Sequence, residues 1–211
     1  LKKLKIDVDF SKIAIKGRST NGNIITKNTV KKVELKSEGV STLSARKIWF
    51  DDSVQRLNVD ERGLFLGAFE AEDKILTINQ QGDLQLKGFE LSTHFDEEII
   101  VIEKFNPAKP ISAIYFDGKK ERYFIKRFKV EVKSKKLNFI TQHKNSFLEI
   151  VSTDWCPQAK VVFVKEKGKD RKIATINLEE FITVKGIKAM GNILSNKKIK
   201  EINLLKPLPY N

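Results

Sequence analysis

The chain has 211 residues, of which 40% are hydrophobic, and its 40 basic and 27 acidic side chains give a net charge of +13. This length and composition allow a sizeable core and exclude a wholly disordered chain. No apolar run approaches the roughly 20 residues that a membrane span needs, so no membrane partner is expected. Cys156 is the single cysteine, which excludes an internal disulfide and a thiolate metal cluster and fits a reducing cytoplasm.

Charge is distributed along the chain in blocks. Residues 1–36 and 111–145 each carry ten basic and three acidic groups, for a net charge of +7. Residues 37–110 carry eight basic and fourteen acidic groups, net −6, and residues 146–211 carry twelve and seven, net +5. Cationic surfaces gain affinity for polyanions by releasing condensed counterions. The pattern indicates a polyanion partner, with the acidic block turned away from it or toward another partner.

Short alternating strands separated by Gly, Asp-Gly and Lys-rich turns predict an all-β fold. In chain order, three hairpins are predicted, with strands at 75–79 and 84–87, at 111–116 and 122–130, and at 147–151 and 159–165. Their first strands begin 36 residues apart, which is typical of a repeated unit. The one stretch compatible with a helix, Ser92 to Glu98, is too short to change the class.

A second self-similarity spans almost the whole chain. Residues 16–24 (KGRSTNGNI) match residues 185–193 (KGIKAMGNI) at an offset of 169. Apolar positions on either side match at the same offset. We therefore expect residues 6–35 and 176–205 to occupy equivalent places in an array of about four blades that bury their inner faces against one another.

Several motifs occur in a specific order: DFSKIAIKGRSTNGNIITK at 9–27, VSTLSARKIWFD at 40–51, and shorter ones at 56–58, 91–96 and 126–128. In this order they resemble the C-terminal domain of bacterial type IIA topoisomerase A subunits, the family that includes the A subunits of topoisomerase IV and DNA gyrase, in its Bacteroidetes-like form. The resemblance implies a β-pinwheel, a propeller-like ring of about four four-stranded blades that exchange strands. It also implies one domain over residues 1–211, cut from a larger cytoplasmic, nucleoid-associated polypeptide.

The resemblance implies a non-catalytic domain that binds and bends double-stranded DNA. Its partners would be DNA, the ATPase B subunit of the heterotetramer, and the rest of the A subunit. ATP and magnesium are expected only in other domains of that enzyme, so no cofactor or metal is expected here. The residues agree, since no Ser-His-Asp order, P-loop or paired-carboxylate motif is present, and His94 and His143 lack the spacing of a zinc site.

One departure from the family pattern bears on activity. Gyrases carry a Gln-Arg-Arg-Gly-Gly-Lys-Gly box, and residues 16–22 (KGRSTNG) resemble only a degenerate relative of it. The expected parent is therefore topoisomerase IV-like rather than gyrase-like. The alternative is a propeller-like protein-interaction module that uses the acidic 37–110 block as its working face.

Lysines and arginines in the basic blocks are the candidate phosphate ligands, since ionised side chains make the strongest contacts to phosphate. Glycines in the two KG…GN motifs would let backbone amides approach a phosphate, or would only supply positive φ to ordinary loops. Strand alternation at 123–132 places Arg127 and Lys129 on one face, where the basic residues either contact DNA or protect a strand edge. The predicted DNA-binding residues are Lys16, Arg18, Lys27, Lys31, Lys119, Lys120, Arg122, Arg127, Lys129, Lys185 and Lys188.

Overall fold

The computed structural model describes residues 5–14, 16–36, 45–96, 98–131, 136–165, 167 and 172–210. The chain divides into two compact units, residues 1–44 and residues 45–211. In the described part of the first unit, the sole regular element is a 3-10 helix, Phe10–Lys12. No helix in the described residues is long and apolar enough to cross a membrane. A single domain over the whole chain stays a prediction.

The second unit consists of four antiparallel sheets and one short helix, α1 (Leu178–Phe181). Sheet A has the order β2-β1-β3, with β1 at Arg46–Asp51, β2 at Arg56–Asn58 and β3 at Leu64–Phe69. Sheet B has the order β6-β4-β5-β9, with β4 at Ile75–Asn79, β5 at Asp83–Lys87, β6 at Ile99–Lys104 and β9 at Leu137–Asn138.

Sheet C has the order β10-β7-β8-β13, with β7 at Ile111–Asp117, β8 at Arg122–Phe128, β10 at Phe147–Ser152 and β13 at Asn192–Ile193. Sheet D has the order β12-β11-β14, with β11 at Gln158–Phe163, β12 at Ile173–Asn177 and β14 at Ile199–Leu205. These four antiparallel sheets confirm the all-β pinwheel predicted above.

All four sheets share one connection scheme. Each begins with two paired strands, and a later closing strand (β3, β6, β10 or β14) pairs with the other side of the first strand. In sheets B, C and D, the chain returns to the preceding sheet before it closes and pairs with that sheet's second strand. This exchanged segment is β9 on β5, β13 on β8, and a single bridge from His94 to Arg56 on sheet A. In the described residues, β12 has no such partner on its outer edge.

Successive sheets pack face to face through hydrophobic clusters. Sheets A and B share the cluster Ile48, Phe50, Leu57, Leu66, Phe69, Ile75 and Phe95. Larger clusters join sheet B to sheet C and sheet C to sheet D. Full burial of one large apolar side chain stabilises a fold by roughly 1.5–3 kcal/mol. Apolar contacts between neighbouring sheets therefore contribute to the stability of the fold, as expected of units that cannot bury a core alone.

The hairpins predicted at 75–87 and 111–130 are confirmed as β4–β5 and β7–β8. The third is wrong, because β10 closes sheet C against β7 while β11 pairs with β12 and β14. The first strands of the sheets begin at residues 46, 75, 111 and 158, so the constant spacing of 36 does not describe the repeat. The described part of Ser92–Glu98 is not helical.

The long-range repeat is not matched in secondary structure. The described residues of 6–35 contain only the 3-10 helix, whereas 176–205 include the end of β12, α1, β13 and all of β14. The two segments therefore do not share regular elements in their described residues, and their equivalent placement in the array stays a prediction. Similar turn residues set local backbone preferences, but strands also need a partner edge to pair with.

Candidate nucleic-acid interface

Three of the predicted DNA-binding residues lie in the turn between β7 and β8 and at the start of β8. The Asp117 carboxylate accepts hydrogen bonds from the backbone amides of Lys119 and Lys120 at 2.9 and 3.0 Å, and from the Thr141 hydroxyl at 2.7 Å. Burial raises the pKa of Asp117, but these hydrogen bonds outweigh it and the pKa lies below its ordinary value. Asp-Gly favours a tight hairpin, and the ionised Asp117 fixes this one with Lys119, Lys120 and Arg122 exposed.

The exchanged segment that contains β13 runs along β8 from end to end. The Lys185 amide donates to the Arg127 carbonyl at 2.8 Å, and the Leu194 amide donates to the Tyr123 carbonyl at 2.9 Å. Between them, Asn192 and Ile193 form the ladder of β13 with β8. This pairing carries the basic residues of the 185–198 segment to the outer edge of sheet C.

Gly191 allows the close approach of the two segments. Its φ of +93° lies in the left-handed region, and a Cβ there would stand 2.1 Å from the Ile125 carbonyl oxygen. The expected role of glycine as a supplier of positive φ therefore holds at Gly191. Gly17, Gly22 and Gly186 have open space around the Cβ position and no positive φ.

We call residues 118–122 and 185–198 together the basic edge of sheet C. Side chains connect its two parts, since Lys120 Nζ lies 3.0 Å from Met190 Sδ and Arg122 Nη1 donates to Asn196 Oδ1 at 3.2 Å. Its exposed cations are Lys119, Lys120, Arg122, Lys185, Lys188, Lys197 and Lys198. Glu121 is its one carboxylate. The arrangement brings cations from both chain segments to one edge of the sheet, which suits contacts to successive phosphates.

Residues 56–206 match the family described as topoisomerase C-terminal domain, Bacteroidota. The chain belongs to this family. No curated protein matches the chain significantly. The resemblance identified from the motifs is thereby confirmed, and the protein is a topoisomerase C-terminal domain. The match begins in β2 and ends after β14, so it includes the basic edge of sheet C.

Arg127 of this topoisomerase C-terminal domain is not on the accessible surface, contrary to the predicted alternation. The residue is 6% exposed, donates from Nη2 to the Trp155 carbonyl at 2.9 Å, and lies 3.7 Å from the Glu179 carboxylate. Neighbouring Ile125 and Lys126 are also buried. Because β8 is an inner strand with sheets on both faces, the alternation of its side chains does not distinguish a solvent-exposed face from a buried one. Arg127 therefore serves packing, and its predicted role as a phosphate ligand is corrected.

The other predicted residues are exposed but stand apart from the basic edge in the chain. Lys129 is exposed just beyond the end of β8. Lys16, Arg18, Lys27 and Lys31 are exposed in the first unit. Arg18 lies inside a turn closed by the Thr20 amide and hydroxyl, which both donate to the Gly17 carbonyl.

Exchanged segments at the other sheets differ in charge. The segment on sheet A, residues 88–98, has exposed carboxylates at Glu90, Asp96 and Glu98. In the segment on sheet B, Lys136 is paired with Asp83 at 3.2 Å, and Lys133 and Lys135 lie outside the described residues. The basic edge of sheet C therefore has an acidic counterpart at the same structural place on sheet A.

Sequence reasoning missed Lys197 and Lys198, which complete the basic edge. The signal was present, since a Lys-Lys pair follows the KG…GN motif within a few residues. It was overlooked because the two lysines are separated by about 75 residues from the β7–β8 turn, and only strand exchange brings them beside Arg122.

Proposed function

We propose that this domain binds duplex DNA along the basic edge of sheet C, as a non-catalytic DNA-binding and DNA-bending domain of a type IIA topoisomerase A subunit. The observation that carries the proposal is the convergence of seven exposed cations from two distant chain segments, with Glu121 as the only carboxylate between them. Contacts along such an edge go mainly to phosphates, so binding depends weakly on base sequence.

Bending follows from the contrast between sheet edges. DNA that follows the outer edges gains attraction at sheet C and meets the carboxylates of the 88–98 segment at sheet A. Because the domain attracts DNA at some sheet edges and repels it at others, we expect it to hold a short arc of duplex rather than to wrap the duplex completely. Together with the degenerate 16–22 motif, this supports a topoisomerase IV-like role rather than a gyrase-like one.

The test compares two double variants by DNA binding at several salt concentrations. Lys119→Gln with Lys188→Gln removes one exposed cation from each part of the basic edge. Each lost phosphate contact lowers the log–log salt slope by about 0.9, so this variant should lower it by about 2. Arg46→Gln with Lys47→Gln removes the same charge from exposed positions of β1 and should leave the slope near that of the native domain.

Fluorescence anisotropy with a labelled duplex gives the affinities. Equal losses in the two variants would mean that net charge alone drives association and that the basic edge is not the binding site. An unchanged slope in both would move the site elsewhere on the domain. Bending is measured separately, as energy transfer between dyes at the two ends of the same duplex.

A further inference from the structure

A cleft of about 450 Å³ lies where the closing strands of all four sheets meet. Leu64 of β3, Ile100 of β6 and Leu204 of β14 line it, and they are 54%, 44% and 43% exposed. Val151 of β10 completes the apolar wall. Aliphatic side chains that converge from separate sheets on one concave cleft form a surface that can bind a ligand.

The charged groups of the cleft are all acidic, although the chain as a whole is strongly basic. Asp52, Glu103 and Asp154 are the ionisable residues of its lining. Glu103 accepts a hydrogen bond from the Thr153 hydroxyl, and Asp154 accepts one from the Ser152 hydroxyl. In the described part of the chain, none of the three carboxylates is paired with a cation. The cleft therefore has an apolar wall and uncompensated negative charge, which complements a cation with an apolar body.

Backbone groups also face the cleft. The closing strands β3, β6, β10 and β14 each stand at the end of their sheet, so one backbone edge of each is unpaired in the sheets. Five consecutive residues of β6, 99–103, line the cleft. Because alternate side chains of a strand point to opposite faces, a consecutive run indicates that the edge of β6 points into the cleft. An open edge of this kind accepts the backbone of an extended peptide.

We propose that the cleft is a docking site for an extended polypeptide segment in which lysine or arginine alternates with apolar residues. Apolar side chains of the segment would pack against Leu64, Ile100 and Leu204, and its basic groups would pair with Glu103 and Asp154. The backbone of the segment would pair with the open edge of β6. Such a ligand would use the apolar wall, the carboxylates and the open strand edge of the cleft. A polyamine would leave the strand edge unpaired.

The test measures binding of the 211-residue protein to a labelled pool of short acetylated peptides that alternate lysine with valine, leucine or phenylalanine. Glu103→Gln with Asp154→Asn should weaken binding about tenfold, since each substitution removes a carboxylate that pairs with a basic group of the peptide. Glu72→Gln with Glu180→Gln removes two exposed carboxylates outside the cleft and should change affinity less than twofold.

Saturable binding with this difference between the variants supports the proposal. Absence of saturable binding, or an equal loss in both variants, overturns it. If spermine binds as tightly as the peptides, the cleft recognises cations without using the strand edge, and the assignment to a polypeptide is wrong. The DNA salt slope should be the same in the cleft variant and in the native domain, so failure of this proposal is distinguishable from failure of DNA binding.

Discussion

Replacing the buried Lys126 should change how the stability of the domain depends on pH. Lys126 is 4% exposed, and its ammonium donates to the Phe139 and Ile187 carbonyl oxygens at 2.5 and 2.8 Å. It lies near the rings of Phe128 and Phe139, and no carboxylate is among these partners. Burial lowers the pKa of Lys126 from its ordinary 10.5 to about 8.

The direction of the effect follows from the two pKa values. Between about pH 8 and 10.5 the unfolded chain holds the Lys126 proton and the folded chain has lost it, so stability rises with pH across this window. Below about pH 8 the full cost of a buried ammonium is present. One pKa unit is about 1.4 kcal/mol. As Lys126 loses its proton, the free energy of unfolding of the native domain should therefore rise by about 2 kcal/mol between pH 7 and about pH 9.5.

The assay is urea unfolding of the native domain and of Lys126→Met at those two pH values. All other titrating groups are common to both proteins, so the difference between them isolates Lys126. Lys129→Met replaces an exposed lysine of the same chain segment and should keep the native pH dependence. Identical pH dependence in the native domain and Lys126→Met would refute the reasoning, because it would mean that the ammonium is not desolvated.

Three further changes test other parts of the structure. Gly191→Ala should lower the free energy of unfolding by about 1–3 kcal/mol because of its positive φ and close contact, measured by thermal unfolding, whereas Gly186→Ala should be nearly neutral. Asp117→Ala should lower the free energy of unfolding by about 1–3 kcal/mol at neutral pH. This difference should shrink in acid, at a pH below the ordinary pKa of an aspartate, because the native carboxylate is then protonated. A difference that stays constant down to acid pH would contradict the role of the ionised Asp117 in the turn. The hydrogen bond to Glu179 raises the pKa of the Cys156 thiol, so Glu179→Gln should speed thiol labelling near pH 8, and equal rates would argue against that bond.

Sequence patterns predicted the class of fold and two of its hairpins, because those features depend on local information. Asp117-Gly118 specifies a tight turn wherever it occurs between strands, and alternation around it specifies the strands. The pairing of β10 with β7 was not predictable in the same way, since β10 and β11 follow each other in the chain like the arms of a hairpin. Their separation depends on which edges are available in three dimensions.

The site was predicted in part for the same reason. Lys119, Lys120 and Arg122 lie in or next to a turn that the sequence marks, and they are exposed as expected. Arg127 was misplaced because a charged residue on an alternating strand normally points to water, and only the packing of sheets on both faces of β8 buries it. The exchanged strands β9 and β13 are two residues long and leave no periodicity to detect.

Because strands are exchanged between sheets, a single sheet does not correspond to one continuous chain segment that could be inherited, deleted or grafted. Excising residues 111–152 would remove three of the four strands of sheet C and would also take β9 away from sheet B. It would leave β13 without the strand it pairs with. A gene segment that can be duplicated without damage must therefore begin and end inside a sheet, out of phase with the blades. Recombination between such domains should be tolerated at these offset boundaries and not at the loops that join one sheet to the next.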